Sequence, residues 1–338
     1  MKEASLYESL PRHQARCQVC PRRCLLLEGK SGYCKTRANQ GGKVFSRIYG
    51  KVGSLAISPI EKKPMYHFYP GSLWLSLGSY GCNFRCPGCQ NWELAHGDVE
   101  KEAGRERVLS PDKLVEMALK GRCKGISWTY NEPTLWLEYI RDGAKLAKEN
   151  GLLANCVTNG YITNEALDFI GPFVDSFRMD LKGFSRGTYS CLAHIDDFSP
   201  VLKAAKGAKE KWGMQVEIIT NVIPGINDSE DELGDIATWI GDHLGTDTPW
   251  HVTRFYPHFH LSHLPPTPVE TLERGREIGF EAGLHFVYLG NVPGHDGENT
   301  YCPGCRKLLI RRHHFDVVEN HLRGSLCPAC GSKVPGKF

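Results

Sequence analysis

Between Leu73 and Leu289, short runs rich in aliphatic and aromatic residues alternate with longer stretches whose apolar positions return every three or four residues. The short runs predict strands over 73–80, 125–130, 152–158, 174–181, 214–222 and 251–256, with a seventh candidate at 285–289. The longer stretches predict helices. One covers 111–120, with Ser110 as N-cap and Pro111 at the first helical position. A second covers 135–149 and stops at Asn150-Gly151, and a third covers 229–244, opening on Ser229 with Glu232 three residues later as a capping box.

Strand and helix alternating in this way imply βαβ units and a parallel sheet. At roughly 30 or more residues per unit, the stretch holds about six units rather than eight. The expected fold is therefore α/β, a partial (β/α)6 TIM-like barrel; a doubly wound open sheet is the alternative. Both place functional residues at the carboxyl ends of the strands. Polar groups do fall there: Thr129 to Thr134, then Thr158-Asn159-Gly160, then Arg178, Asp180 and Lys182, then Thr220 to Asp228, and His251 with Arg254. Taken singly, Asn159-Gly160 reads as a turn and Asp180 as a strand end. Taken together, they suit a zwitterionic, hydroxyl-rich ligand.

Cysteine changes the picture more than charge does. Lys plus Arg number 41 against 38 acidic residues, a net charge of +3, which argues against a nucleic-acid binder. No apolar stretch reaches the ~18 residues of a membrane span, and residues 1–16 lack a signal-peptide core, so a cytoplasmic protein without a membrane partner is expected. The 14 cysteines of such a chain read as metal ligands before disulfides. They fall into Cys17, Cys20, Cys24 and Cys34; Cys82, Cys86 and Cys89; and Cys302, Cys305, Cys327 and Cys330, with Cys123, Cys156 and Cys191 left as core or incidental thiols. Three modules follow: a four-cysteine metal-binding module at 1–50, the barrel at 51–295, and a zinc-ribbon or rubredoxin-like knuckle at 296–338.

Four ligands close a site, whereas three leave a coordination position for chemistry. The C-x3-C-x2-C spacing of Cys82, Cys86 and Cys89, just after a predicted strand, suits a [4Fe-4S] cluster short of one thiolate. The alternative is three quarters of a zinc site. For the carboxy-terminal set, C-x2-C spacing on both sides suits a zinc ribbon or a rubredoxin-like site, and a reducing cytosol, four tetrahedral thiolates and no evident redox partner favour structural zinc over iron. For the amino-terminal set, zinc and a second iron-sulfur cluster stand nearly even.

The chain resembles radical SAM enzymes of the pyruvate formate-lyase-activating-enzyme-like branch, and within it the radical SAM member of the AmmeMemoRadiSam system. The residues that carry this resemblance are the Pro59-Ile60-Glu61-Lys62-Lys63-Pro64 run through Gly71, the cysteine triplet closing in Gln90-Asn91-Trp92, Thr129 to Thr134, Asp180-Leu181-Lys182, Trp250-His251-Val252, and Tyr288 to Val292 leading into Thr300-Tyr301-Cys302. The resemblance implies that Cys82, Cys86 and Cys89 hold a [4Fe-4S] cluster whose open iron chelates S-adenosylmethionine (SAM). It implies that Glu132 accepts from the SAM ammonium, and that Asn159, Asp180, Lys182 and His251 contact the ribose, the carboxylate or the reacting face, with Lys182 and His251 on the catalytic side. Reductive cleavage to methionine and a 5′-deoxyadenosyl radical is the implied chemistry, with a flavodoxin or ferredoxin as reductant and Memo-type and AMMECR-type proteins as partners.

Two positions depart from the pattern. Gly88 stands where an aromatic residue usually precedes the third cysteine, leaving either Tyr80, Phe84 or Trp92 to stack on adenine or backbone contacts to hold it, and Ser58 stands where an acidic residue is expected. The three histidines His258, His260 and His263 read as lining or covering the substrate mouth, and the Glu61-Lys62-Lys63 run as packing across it. Three functions follow: a radical SAM enzyme acting on a small molecule, lipid or protein; a glycyl-radical-enzyme activating enzyme; or a non-catalytic metalloprotein.

Overall fold

A computed structural model describes residues 1–97, 99 and 107–338. The chain separates into two compact units, Met1–Ser58 with Leu73–Phe177 and Asp197–Met214, and Pro59–Ser72 with Arg178–Asp196 and Gln215–Phe338.

The first unit is built on parallel strands β1 (Leu73–Gly78), β2 (Gly125–Trp128) and β3 (Leu153–Thr158). Gly125 pairs with both Trp74 and Leu153, which fixes the register of all three. Trp74, Leu75, Leu77, Ile126, Trp128, Ala154 and Cys156 are all buried. Burial on both faces is why these strands read as continuous apolar runs rather than as alternating ones. The helix Pro111–Lys120 has the expected bounds, and Ser110 Oγ accepts from Lys113 N at 3.2 Å. The next begins later than its apolar period suggests: Pro133–Trp136 is a 3₁₀ turn, and the α-helix runs Leu137–Glu149. Glu132 caps that turn, accepting from Thr134 N, so the first turn tightens before the helix starts. The amino-terminal residues form small antiparallel sheets, one of Tyr7–Leu10, Gln14–Cys17 and Leu25–Leu26, and another joining Lys2–Glu3, Lys43–Ser46 and Arg37–Gln40.

The strand β4 (Ser176–Asp180) carries the division between the units. In the second unit β5 (Gln215–Val222), β6 (Trp250–Arg254) and β7 (Val287–Gly290) are parallel, with Ile218 opposite Trp250 and Trp250 opposite Val287. The helix Glu230–Leu244 opens on Ser229, whose hydroxyl accepts from Glu232 N at 3.2 Å. The other half of the expected capping box goes elsewhere: Glu232 Oε1 accepts from Phe184 N and Ser185 N, satisfying amides at the start of the helix Arg186–Ala193. The carboxy-terminal strands Thr300–Tyr301, Leu308–His313 and Asp316–Asn320 are antiparallel, and Leu309, Ile310 and Val334 pack with Tyr66, Phe286 and Tyr288. Among the described residues, no helix is long and apolar enough to cross a membrane.

Candidate metal and cofactor sites

Cys82 follows β1 after a turn that only glycine enters cheaply. Gly81 has φ +82°, and its carbonyl accepts from Asn131 Nδ2 at 2.9 Å while Asn131 Oδ1 takes Ser79 N at 3.0 Å. Arg85 closes the loop from below, its guanidinium donating to the Cys82 and Phe84 carbonyls at 2.7 and 3.0 Å and to Tyr33 O at 2.9 Å. Cys82, Cys86 and Cys89 are thereby held half-buried on one short loop. Burial, with the Glu132 carboxylate nearby, pushes the Cys82 thiol well up, so this sulfur keeps its proton until a metal displaces it.

Asn159 leans onto this loop. Its Nδ2 donates to Asn83 Oδ1 at 2.8 Å and lies 3.7 Å from Cys82 Sγ, and its Oδ1 accepts from Tyr161 N at 2.9 Å. Glu132 is 2% exposed and accepts from Thr158 Oγ1 at 2.7 Å, Thr134 N at 3.0 Å and Asn159 N at 2.8 Å. Those three donors use most of the roughly four acceptor positions of a carboxylate, leaving about one for a further donor. Burial raises its pKa, and the amide and hydroxyl donors oppose that rise. Thus the structure brings Cys82, Asn159 and Glu132 together in the first unit.

In the second unit Asp180 accepts from Arg178 and, at 2.7 Å, from Lys182 Nζ. Although burial works against its charge, the two cations hold the Asp180 carboxyl below the usual range. Lys63 is buried in the same unit; burial first, then Lys62 and Arg178, push its ammonium down to about 8. His251 is fully buried, with Nε2 donating to Glu217 Oε2 at 2.7 Å and its ring stacked on Tyr288. Among the described residues its Nδ1 has no hydrogen-bond partner. Burial lowers its pKa, so the neutral imidazole sits beside an anionic Glu217.

Glu61 accepts from Gly71 N at 3.0 Å and lies 3.6 Å from Arg312 Nε, both carboxylate and guanidinium fully buried. Lys62 sits 5.8 Å over the Phe315 ring. The charged run therefore anchors the second unit's own turn and hairpin through Glu61. The residues His258, His260 and His263 are exposed.

His67 donates from Nδ1 to Pro335 O at 2.6 Å, so its Nε2 must accept from Tyr288 OH at 2.7 Å. Burial pushes its pKa down to about 4. Between roughly pH 6.5 and that value the unfolded chain binds the proton and the folded one does not, so stability falls as pH falls, by about 3 kcal/mol across the window. Urea unfolding followed by tryptophan fluorescence at pH 7 and pH 4.5 should show this loss; equal midpoints would contradict it.

The sulfurs of Cys302, Cys305, Cys327 and Cys330 all lie within 4.8 Å of one another, with Cys302 and Cys330 at 3.4 Å and Cys305 and Cys327 at 3.8 Å. One tetrahedral ion bound at about 2.3 Å needs sulfurs roughly 3.8 Å apart, so the donor set fits a single metal. Cys17, Cys20, Cys24 and Cys34 line one cavity in the first unit.

Sequence reasoning missed the roles of Asn83, Arg85, Asn131 and Glu217. Glu217 had a signal, a lone carboxylate inside an apolar strand; Asn83 and Arg85 had none, because their partners are distant in sequence.

Residues 77–237 match the Radical SAM superfamily. The chain is 44% identical over 338 residues to an uncharacterized protein, MJ0808, of Methanocaldococcus jannaschii, covering 99% of each. It is 27% identical over 168 residues to the pyruvate formate-lyase-activating enzyme of Clostridium pasteurianum, covering 47% of this chain and 66% of that one. A radical SAM methyltransferase from Sphaerobacter thermophilus superposes with TM-score 0.52 at 16% identity, covering 66% of this chain and 67% of the other.

Proposed function

Starting from the fact that this chain belongs to the radical SAM superfamily, we propose that it is an enzyme of the oxidoreductase or lyase type that cleaves SAM reductively and abstracts hydrogen from a substrate. The observation that carries this reading is the loop of Cys82, Cys86 and Cys89, three half-buried thiols with Asn159 resting against the first of them. When bound there, a [4Fe-4S] cluster with SAM supplies a one-electron cleavage that gives methionine and a 5′-deoxyadenosyl radical.

The chain's own residues orient and enclose. Asn131 and Arg85 fix the backbone of the cysteine loop, so the three thiols are pre-positioned before metal binds. Glu132 holds the Asn159 turn and keeps about one acceptor position for an ammonium donor. Asp180 and Lys182 are the carboxylate and ammonium that this reading assigns to the ribose and carboxylate of SAM. In this reading His251, held through Nε2 by Glu217, keeps Nδ1 for contact with the ligand or the reacting face. Phe84 is buried and packs on Tyr161, whereas Trp92 is exposed, which favours Trp92 over Phe84 for adenine stacking beside Gly88.

The same reading takes the fold as a partial (β/α)6 barrel at 51–295 between a four-cysteine module at 1–50 and a zinc-binding knuckle at 296–338. It takes a flavodoxin or ferredoxin as electron donor and assigns the chain to the AmmeMemoRadiSam system, with Memo-type and AMMECR-type partners. Similarity to a pyruvate formate-lyase-activating enzyme favours a second reading, activation of a glycyl radical enzyme.

Anaerobic reconstitution with iron and sulfide, followed by dithionite and SAM, tests the proposal. 5′-Deoxyadenosine should form with wild type, and Cys86→Ala should lose about a thousandfold or more of that product, the scale expected when an essential group is removed. Turnover unaffected by Cys86→Ala would sink the reading of the triplet, and no 5′-deoxyadenosine from wild type would leave a non-catalytic metalloprotein. A glycyl radical signal on mixing with a glycyl radical enzyme would select the second reading.

A further inference from the structure

The amino-terminal cysteines lie directly against the loop of the triplet. Their cavity is lined also by Arg22, Arg37 and Asn83, and Asn83 is the residue after Cys82. Arg22 Nε donates to Asn83 O at 2.8 Å, and Arg85 Nη2 donates to the carbonyl of Tyr33, the residue before Cys34. A Cβ built on Gly81, immediately ahead of Cys82, would lie 2.6 Å from the Cys34 carbonyl oxygen. The backbone of one cysteine set therefore packs on the backbone of the other.

The cavity sets four thiols beside a buried arginine that is paired with Glu138. Cys17, Cys20 and Cys34 are buried, and the Arg37 guanidinium is 1% exposed, anchored at 2.8 Å by Glu138, which is 2% exposed. Glu138 balances the Arg37 charge, and the four thiols grouped in this one cavity form a ligand set for a metal. The donor geometry separates two kinds of metal. The carboxy-terminal sulfurs converge as one tetrahedral ion requires, and among the described residues no other group of three or more does so. The amino-terminal thiols share a cavity and are not among the groups that converge in this way. A four-iron core can take such a set, because each thiolate binds its own iron.

We propose that Cys17, Cys20, Cys24 and Cys34 hold a second [4Fe-4S] cluster, and that it passes single electrons to the cluster on Cys82, Cys86 and Cys89 across the Cys34–Gly81 contact. The inference rests on the radical SAM reading of the triplet. A low-potential one-electron protein donor reduces the amino-terminal cluster from 2+ to 1+. That cluster returns to 2+ as the triplet-held cluster goes from 2+ to 1+, with no bond or proton exchanged. The arrangement lets a protein donor dock away from the SAM side of the loop.

The test uses the full chain, reconstituted anaerobically with iron, sulfide and competing zinc. A Cys82→Ala, Cys86→Ala, Cys89→Ala triple variant should keep about four irons per chain, the content of one cubane, and show a reduced-cluster EPR signal. Zinc in place of that iron would overturn the proposal. A Cys20→Ser, Cys34→Ser variant should keep the triplet's iron, while the ratio of SAM cleavage driven by flavodoxin to that driven by dithionite falls at least about tenfold, since dithionite can reach the triplet directly. Arg22→Met, which keeps every thiol, should lower the same ratio in the same direction with iron content unchanged. Ratios equal to wild type in both variants would overturn the relay. Wild type that cleaves no SAM with either donor, while the triple variant still holds its iron, would instead overturn the reading of the triplet.

Discussion

Glu217→Ala is expected to destabilise the protein by about 3–5 kcal/mol, the scale seen when one partner of a buried charged network is removed. The carboxylate is fully buried on β5 and accepts three bonds, from Tyr66 N at 2.9 Å, His67 N at 2.8 Å and His251 Nε2 at 2.7 Å. Alanine would strand all three donors in a region that water does not reach, and each unmet donor costs about 1–3 kcal/mol. It would also leave a cavity beneath the Tyr66, His251 and Tyr288 rings. Glu217→Gln separates shape from charge: its single carbonyl oxygen can serve two donors, while its amide hydrogens oppose the third. Urea denaturation should therefore order the proteins wild type, Gln, Ala. A change under about 1 kcal/mol for the alanine variant would mean that the network is dispensable.

Gly81→Ala should disable the triplet loop. At φ +82° an L side chain is strained, and its Cβ would meet Thr36 Cγ2 at 2.4 Å and the Cys34 carbonyl oxygen at 2.6 Å. The carbonyl is backbone and cannot rotate away, so the loop must move. That movement stretches the Asn131 to Gly81 bond of 2.9 Å and the Gly81 N to Leu94 O bond of 2.8 Å, which set the position of Cys82. A shift of about 1 Å at a reacting centre can cost on the order of a hundredfold in rate, and SAM cleavage is expected to fall by that much. Gly151→Ala is the control: its φ is +72°, but nothing lies within 4 Å of its added Cβ. It should cost only about 1 kcal/mol and leave cleavage intact. Equal behaviour of the two variants would show that backbone angle, not the Cys34 contact, is what matters at Gly81.

Much of the first unit was legible in advance because its signals are local. The apolar runs around Trp74, Ile126 and Ala154 need only the choice of a covered parallel sheet, and the helix Pro111–Lys120 needs only its Ser110 cap and period. Strand ends were less legible. The runs at 73–80 and 125–130 stop at Gly78 and Trp128, since Tyr130 takes φ +73° and the chain turns into the loops that carry Asn131 and Cys82. The capping box at Ser229 was half right, because the same Glu232 carboxylate found two amides in another helix start, contacts that no spacing rule can foresee.

Sequence alone determined the cysteine inventory, because number and spacing along the chain are covalent facts: a set of three between two sets of four. Tertiary structure decided what each polar group is for. It drew the carboxy-terminal sulfurs to within 4.8 Å, gave Glu132 to Asn159 and Thr158, gave Glu217 to His251, and set Cys34 against Gly81. Hydrogen bonds and close packing depend on distances of a few ångströms between residues far apart in the chain, and a one-dimensional pattern carries no such distances.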